Sequence, residues 1–218
     1  MSKPLRLALV GATGLIGTAL RERLAESELQ PAELILLASD NSAGQRLEYR
    51  GRHLSVKDAA GFDFAEADVA VLAVPPAAAA TLAPKIAATS CRLLDYSGVF
   101  LAGLEVPLVC PGVSVGSRAQ VVSLPGAIAA QVAGLLAGPV ADELLAAVNI
   151  TALLPAGLAG RAGLDELAGQ TAALLNVQQP AMNVFADCLA FQVQAAGSRG
   201  QGSSHQAPGQ GAALALKR

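Results

Sequence analysis

The segment Gly11-Ala12-Thr13-Gly14-Leu15-Ile16-Gly17 carries the clearest chemistry in this 218-residue chain. Glycine at the first position permits a sharp turn. Glycine at the second lets a pyrophosphate come close to the backbone, and glycine at the third lets a helix pack tightly on a strand. Backbone N–H groups around Thr13, Leu15 and Ile16, at the positive end of a helix, can then hold phosphate without a basic side chain. Gly11, Thr13, Gly14, Leu15, Ile16 and Gly17 are therefore candidate cofactor-binding residues.

Nucleotide choice is read after the next strand, in Ser39-Asp40-Asn41-Ser42-Ala43-Gly44. Asp40 would accept from a ribose 2′-OH and repel a 2′-phosphate, which favours NAD. Ser39 and Ser42 can still bond a phosphate, as NADP requires. A solvated turn is the other reading of Asp40, and the choice of NADP or NAD stays open.

The remaining reactive side chains are scattered. Cys91, Cys110 and Cys188 are odd in number and have no Cys-x-x-Cys spacing, so they read as free buried thiols in a reducing cytoplasm rather than a zinc site. Cys91 and Cys110 lie in or beside strand-like runs, and Cys188 lies in an apolar segment with Phe185 and Leu189. Ser123 has no histidine partner that the sequence suggests. His53 falls in a hairpin and His205 in a polar tail, and neither is read as a catalytic base. Arg161 reads as a loop residue and Glu166 as a solvated helix residue.

Positioning the glycine loop requires a strand before it and a helix after it. Residues 5–10 form an apolar run, and Leu15, Ile16, Ala19, Leu20 and Leu24 recur at helical spacing. Continuous apolar runs at Glu33–Ser39, Val69–Val74, Arg92–Tyr96 and Gln120–Leu124 suit strands of a parallel sheet covered on both faces. Residues 46–56 alternate around Arg50-Gly51 as a hairpin does. An alanine-rich helix follows from Ala77 to about Thr89. The alternation predicts a Rossmann-type, doubly wound α/β domain over residues 1–125. Residues 126–193 read as part of a second α+β domain for substrate binding and dimerisation. In it Glu143–Leu154 is strand-like, and Leu164, Leu167, Ala168, Thr171, Leu174 and Leu175 share a helix face. Residues 194–218 read as a disordered polar tail, since Gly, Gln and Ser cannot bury enough apolar surface to offset ordering.

Composition excludes several classes. Fifteen basic against seventeen acidic residues, with 3% aromatics, leave no footprint of a nucleic-acid binder. The uncharged stretch Ala119–Ala141 is long enough for a membrane span, but Pro125 and Gly138-Pro139 confine its helix to about 18 Å, too short to cross. The opening segment MSKPLRLALVG reads as too short in apolar length, and without the cleavage pattern, for a signal peptide.

Taken together, VGATGLIG (10–17), LASDNSAG (37–44), DFAEADVAVL (63–72), LLDYSGVF (93–100), EVPLVCPGV (105–113) and AGRAGLDEL (159–167) resemble the aspartate-semialdehyde dehydrogenase family, in particular its cysteine-lacking Usg-like branch. The resemblance covers roughly residues 5–193. It implies NADP-dependent interconversion of an acyl phosphate and an aldehyde through a cysteine thioester, and a homodimer built on the second domain. Several positions depart from that pattern. Where the family has Asn-Pro-Asn-Cys, this chain has Leu124-Pro125-Gly126-Ala127, so a methyl group replaces the nucleophile. A phosphate-binding arginine becomes Leu101, the arginine of the cofactor turn becomes Asn41, and a Gly-Gly pair near the nicotinamide ribose becomes Pro75-Pro76. Beyond Val193 the likeness stops, as a truncated or frame-shifted product would show, or a divergent natural terminus.

Three functions remain open: a nucleotide-binding family member without catalysis, an oxidoreductase acting on an aldehyde or oxo substrate without a thioester, and a non-enzymatic dimerisation or regulatory partner. The expected partners are a small-molecule nucleotide and a second copy of the chain, with no nucleic acid and no membrane.

Overall fold

The computed structural model describes residues 4–100, 106–110, 119–137, 147 and 149–194. They fall into two compact units, one holding the described residues up to Ala147 and the other those from 149 to 194.

The first unit is built on strand β1 (Arg6–Val10), helix α1 (Leu15–Glu26) and strand β2 (Glu33–Ala38). A hairpin follows, β3 (Arg46–Tyr49) and β4 (Arg52–Asp58), then β5 (Val69–Leu72), α2 (Pro76–Ala87), β6 (Arg92–Asp95), β7 (Val121–Ser123) and α3 (Ala127–Ala137). Among the described residues these strands make one sheet in the order β3-β4-β2-β1-β5-β6-β7. Only β3 runs antiparallel; every other neighbouring pair is parallel. The strand order reverses at β1, which lies between β2 and β5. In doubly wound sheets the ligand crevice opens there, beyond the carboxyl ends of the strands.

Side-chain alternation along β1 explains why its run is apolar throughout. Ala8 and Val10 enter a core with Leu37, Leu72, Leu93, Leu82 and Ile86, under α2. Leu7 and Leu9 enter a second core with Leu34, Leu36 and Val56, under Leu20 and Leu24 of α1. Both faces are covered, so no polar alternation survives.

The α1 face differs from the expected one. Ile16 is 40% exposed and Ala19 is exposed, while Gly17 is buried and Leu20 and Leu24 are half-buried. Gly17 is the reason: a Cβ there would collide with the Gly11 carbonyl and come within 2.8 Å of the Ala12 Cα. The helix turns its thinnest residue inward, and the positions three and seven residues later follow it.

The hairpin forms where the alternation places it, with both central residues in the left-handed region (Arg50 φ 49°, Gly51 φ 73°). It also does more than close on itself. Val56–Asp58 pair in parallel with Leu36–Ala38 and so extend the main sheet.

The second unit contains a 3-10 turn (Ala156–Ala159), helix α4 (Gly160–Leu175) and the segment that returns to Gln194. Residues 149–154 of the expected Glu143–Leu154 strand are not in a strand, since no neighbouring strand among the described residues pairs with them. The earlier residues 143–146 and 148 of that run lie outside the described residues, as does the expected polar tail from residue 195 onward.

The face of α4 is rotated from the expected one, with Leu167 and Thr171 half-buried but the other positions of that face exposed. Leu164 and Leu174 are each 39% exposed, whereas Gly163 and Gln170 are buried. Glu166 is not a solvated residue: its carboxylate accepts the backbone N–H groups of Asn183, Val184 and Phe185. Gln170 Oε1 accepts those of Leu189 and Ala190, and its amide donates to Glu166. A return segment without ladder partners must satisfy its amides elsewhere, so the polar face of the helix turns toward it. Arg161 lies exposed in the first turn of α4, not in the loop before it.

Candidate functional site

All the parallel strands point their carboxyl ends to one edge of the first unit. Onto that edge the chain delivers the glycine loop after β1, the Ser39–Gly44 turn after β2, Val74-Pro75-Pro76 after β5, Tyr96–Phe100 after β6 and Leu124–Ala127 after β7.

The glycine loop is anchored by its own backbone. Gly11 and Ala12 donate to the Leu37 carbonyl at 2.8 and 3.0 Å, and Gly14 donates to Gly11 at 3.0 Å. Gly11 has φ 91°, and a Cβ there would strike the Ala73 carbonyl and lie 2.9 Å from Val74 Cγ1. No other residue type fits that position. The first intrahelical bond of α1 is Thr18 N–H to Gly14 carbonyl at 2.9 Å. Among the described residues, the N–H groups of Thr13, Leu15, Ile16 and Gly17 meet no acceptor of the chain, and no side chain caps the helix. These amides sit at the positive end of a twelve-residue helix, an arrangement that binds an anion.

The second turn approaches the first. Thr13 Oγ1 and Ser42 Oγ are 3.4 Å apart, both half-buried. Asp40 opens a short 3-10 turn through Ser42 and is exposed together with Ser39 and Asn41. The chain therefore presents one carboxylate, two serine hydroxyls and one threonine hydroxyl here, and no cation.

Across the crevice, Pro75 precedes α2 and Pro76 begins it. Proline has no N–H, so this lip cannot donate to a ligand as the glycine loop can. At the β7 end, Ala127 is the exposed first residue of α3, with only a methyl group to offer. Leu101 lies outside the described residues.

Asp95 was not among the residues singled out by sequence. It is fully buried at the end of β6. Its carboxylate accepts the N–H of Ser97 at 2.9 Å and that of Phe100 at 3.4 Å, together with the Ser97 hydroxyl. Ser123 Oγ, also buried, reaches it at 3.5 Å. Asp95 thus shapes the loop after β6. The sequence signal was an Asp closing an apolar strand with Ser two residues on, the pattern of an Asx turn. Ser123 has no histidine beside it among the described residues, since His53 stands on β4 with β2, β1, β5 and β6 between the two strands. His205 lies outside the described residues.

The three cysteines are free thiols. Cys91 is buried at the foot of β6, and desolvation, aided by the nearby Asp68 charge, pushes its thiol up to about 11. Cys110 is buried too, and desolvation raises its thiol. Cys188 belongs to the second unit and is half-buried. A thiol held protonated is a poor nucleophile. No cluster of potential metal ligands occurs among the described residues, and none of their helices is long and apolar enough to cross a membrane.

A dinucleotide matches this edge at its phosphate end. Four unpaired amides and two glycines with no room for a side chain form a cradle, whereas the Pro75-Pro76 lip offers no donors to the other half.

Comparison with known proteins agrees with that reading of the fold. The "USG-1 protein homolog" of Pseudomonas aeruginosa is 37% identical over 204 residues, spanning 89% of this chain and 59% of that protein. "Aspartate-semialdehyde dehydrogenase 2" of Vibrio cholerae is 32% identical, spanning 88% and 58% respectively. The structure of a probable aspartate-semialdehyde dehydrogenase from Pseudomonas aeruginosa superposes with a TM-score of 0.80 at 33% identity, covering 97% of this chain and 66% of that one. The chain thus spans less than three-fifths of the length of these two curated relatives. Residues 6–121, more than half of the chain and nearly the whole sheet, match the description "Semialdehyde dehydrogenase, NAD binding domain", and the chain belongs to that family.

Proposed function

We propose that this chain binds a nicotinamide dinucleotide at the β1–α1 loop and does not perform the thioester chemistry of the family it belongs to. One observation carries the reading. The phosphate cradle is intact, with the amides of Thr13, Leu15, Ile16 and Gly17 unpaired, while the position matched to the nucleophile holds the methyl group of Ala127.

Residues 11–17 would take the pyrophosphate, and Asp40, with Ser39, Ser42 and Thr13 close by, would face the adenosine ribose. With a carboxylate and no cation in that turn, NAD is preferred over NADP. When bound, the dinucleotide supplies a hydride acceptor or donor at its nicotinamide ring. A second copy of the chain, associating through the second unit, and a cytoplasmic setting belong to the same proposal.

Calorimetric titration with NAD and with NADP tests the binding half. Saturable binding with NAD the tighter ligand is expected, and no heat with either nucleotide would reject it. Phosphate-dependent reduction of either nucleotide with aspartate semialdehyde tests the other half. No turnover is expected, and turnover abolished by substituting Cys91, Cys110 or Cys188 would overturn it.

A further inference from the structure

Far from the glycine loop, strand β2 parts from strand β4. The two pair only from Leu36–Ala38 onto Val56–Asp58, while Glu33–Ile35 pair with β1 alone. The gap opens into a cleft of about 580 Å³ between β2 and the hairpin, within the range of ligand-binding cavities. Arg50, at the hairpin turn, also lines it. Its guanidinium donates to the Leu24, Ala25 and Ser27 carbonyls at the end of α1, at 2.6 to 3.1 Å, and so ties the hairpin turn to that helix end.

Two features of the cleft point to one occupant. The first is an unpaired strand edge. Ala38 turns its carbonyl toward β4, where the Ala59 N–H takes it, and Leu37 turns its carbonyl toward β1, where Gly11 and Ala12 take it. The two-residue period of a strand then turns the N–H and C=O of Leu34 into the gap. The second is charge. Arg52 and Lys57 line the cleft, and among the described residues neither has an ion-pair partner. The one acidic lining residue, Glu33, is already bound to Arg6 at 2.9 Å. Tyr49 adds a buried hydroxyl without a partner among the described residues.

We propose that this cleft takes an acidic peptide in extended conformation, which pairs its main chain with the free edge of β2 at Leu34 and places carboxylates on Arg52 and Lys57. Strand addition supplies the main-chain bonds, and the two cations select against basic sequences. The site is independent of the nucleotide loop, which lies at the opposite ends of the strands.

Amide NMR of the full chain, titrated with acetyl-Asp-Ile-Val-Glu-amide, whose two carboxylates leave opposite faces of an extended chain as Arg52 and Lys57 do on β4, tests the proposal. Shifts are expected at Leu34, Ile35 and Arg52–Ser55. Affinity should fall at least tenfold in R52E/K57E, a double variant of two exposed residues, and tenfold when the central peptide amide is N-methylated. NAD should leave these resonances in place. Three outcomes would overturn it: no shift at these amides, equal binding of the lysine counterpart peptide, or indifference to N-methylation. Concentration-dependent shifts at the same amides without peptide would assign the edge to a second copy of the chain instead, and would overturn it too.

Discussion

Replacing Gly14 by alanine separates the binding role of the glycine loop from its role in folding. Gly14 has φ −74° and ψ 170°, extended backbone that any residue adopts. A Cβ built there lies 3.3 Å from the Gly11 carbonyl, so the neighbour needs to give by only about a tenth of an ångström. Gly14 is also exposed. Losing glycine from a helix N-cap costs under about 1 kcal/mol, and the variant should therefore fold. The new methyl stands where a pyrophosphate would approach the amides of Leu15 and Ile16. Each N–H bond to a charged oxygen contributes about 1.5–3 kcal/mol, so losing one weakens binding roughly ten- to hundredfold. The companion variants behave differently. Gly17→Ala meets the Ala12 Cα at 2.8 Å, and Gly11→Ala combines a collision with a φ of 91°. Both should cost more than about 2 kcal/mol of stability. Calorimetry with NAD, paired with thermal melts, reads both quantities. A Gly14→Ala protein that melts with the wild type and binds NAD within threefold of it would refute the assignment of the loop as a phosphate cradle.

Other expectations follow from features elsewhere in the chain. Glu166 is pushed up by partial desolvation but pulled down further by three backbone amides and Gln170, so its carboxyl sits below the usual 4.5. A depressed carboxyl stabilises the fold above its unfolded value and loses that contribution as pH falls through its folded value. Protection of the Asn183, Val184 and Phe185 amides, relative to their intrinsic exchange, should therefore be lost as pH falls below the usual carboxylate range, whereas in Glu166→Gln it should already be low at pH 7. At pH 8 a thiol reagent should label Cys188 first and leave Cys91 and Cys110 untouched until the protein unfolds, which mass spectrometry of the labelled peptides would show. An Ala127→Cys variant should gain a thiol more reactive than either buried cysteine, because it is exposed at the N-terminus of α3; equal labelling rates would count against that placement.

The first unit was legible because its signals are local. A glycine triplet between an apolar strand and a helical repeat has few solutions, and Arg50-Gly51 between alternating segments has one common solution. What escaped the sequence was set by contacts distant along the chain. Whether Gly17 or Ile16 faces inward depends on the Gly11 carbonyl, which no periodicity of α1 encodes. The orientation of α4 depends on amides about twenty residues away that lack partners of their own, so an apolar stripe misled where Glu166 and Gln170 decided. The parallel pairing of the hairpin with β2, and the cleft it leaves, lie equally beyond any local pattern. At the site, the glycine loop was readable residue by residue. Asp95 was not, because a buried carboxylate at a strand end looks in sequence like any turn-forming aspartate.

The vacancy at Gly11 also has a mechanical meaning. Because the Ala73 carbonyl fills the space a side chain would take, the two banks of the crevice meet backbone to backbone there, with the Val74 Cγ1 methyl beside the contact. They form a single lever. Whatever presses on the amides after β1 should be felt at Val74 and Pro75 after β5, so the Val74 resonance becomes a gauge of loop occupancy that needs no probe on the loop itself.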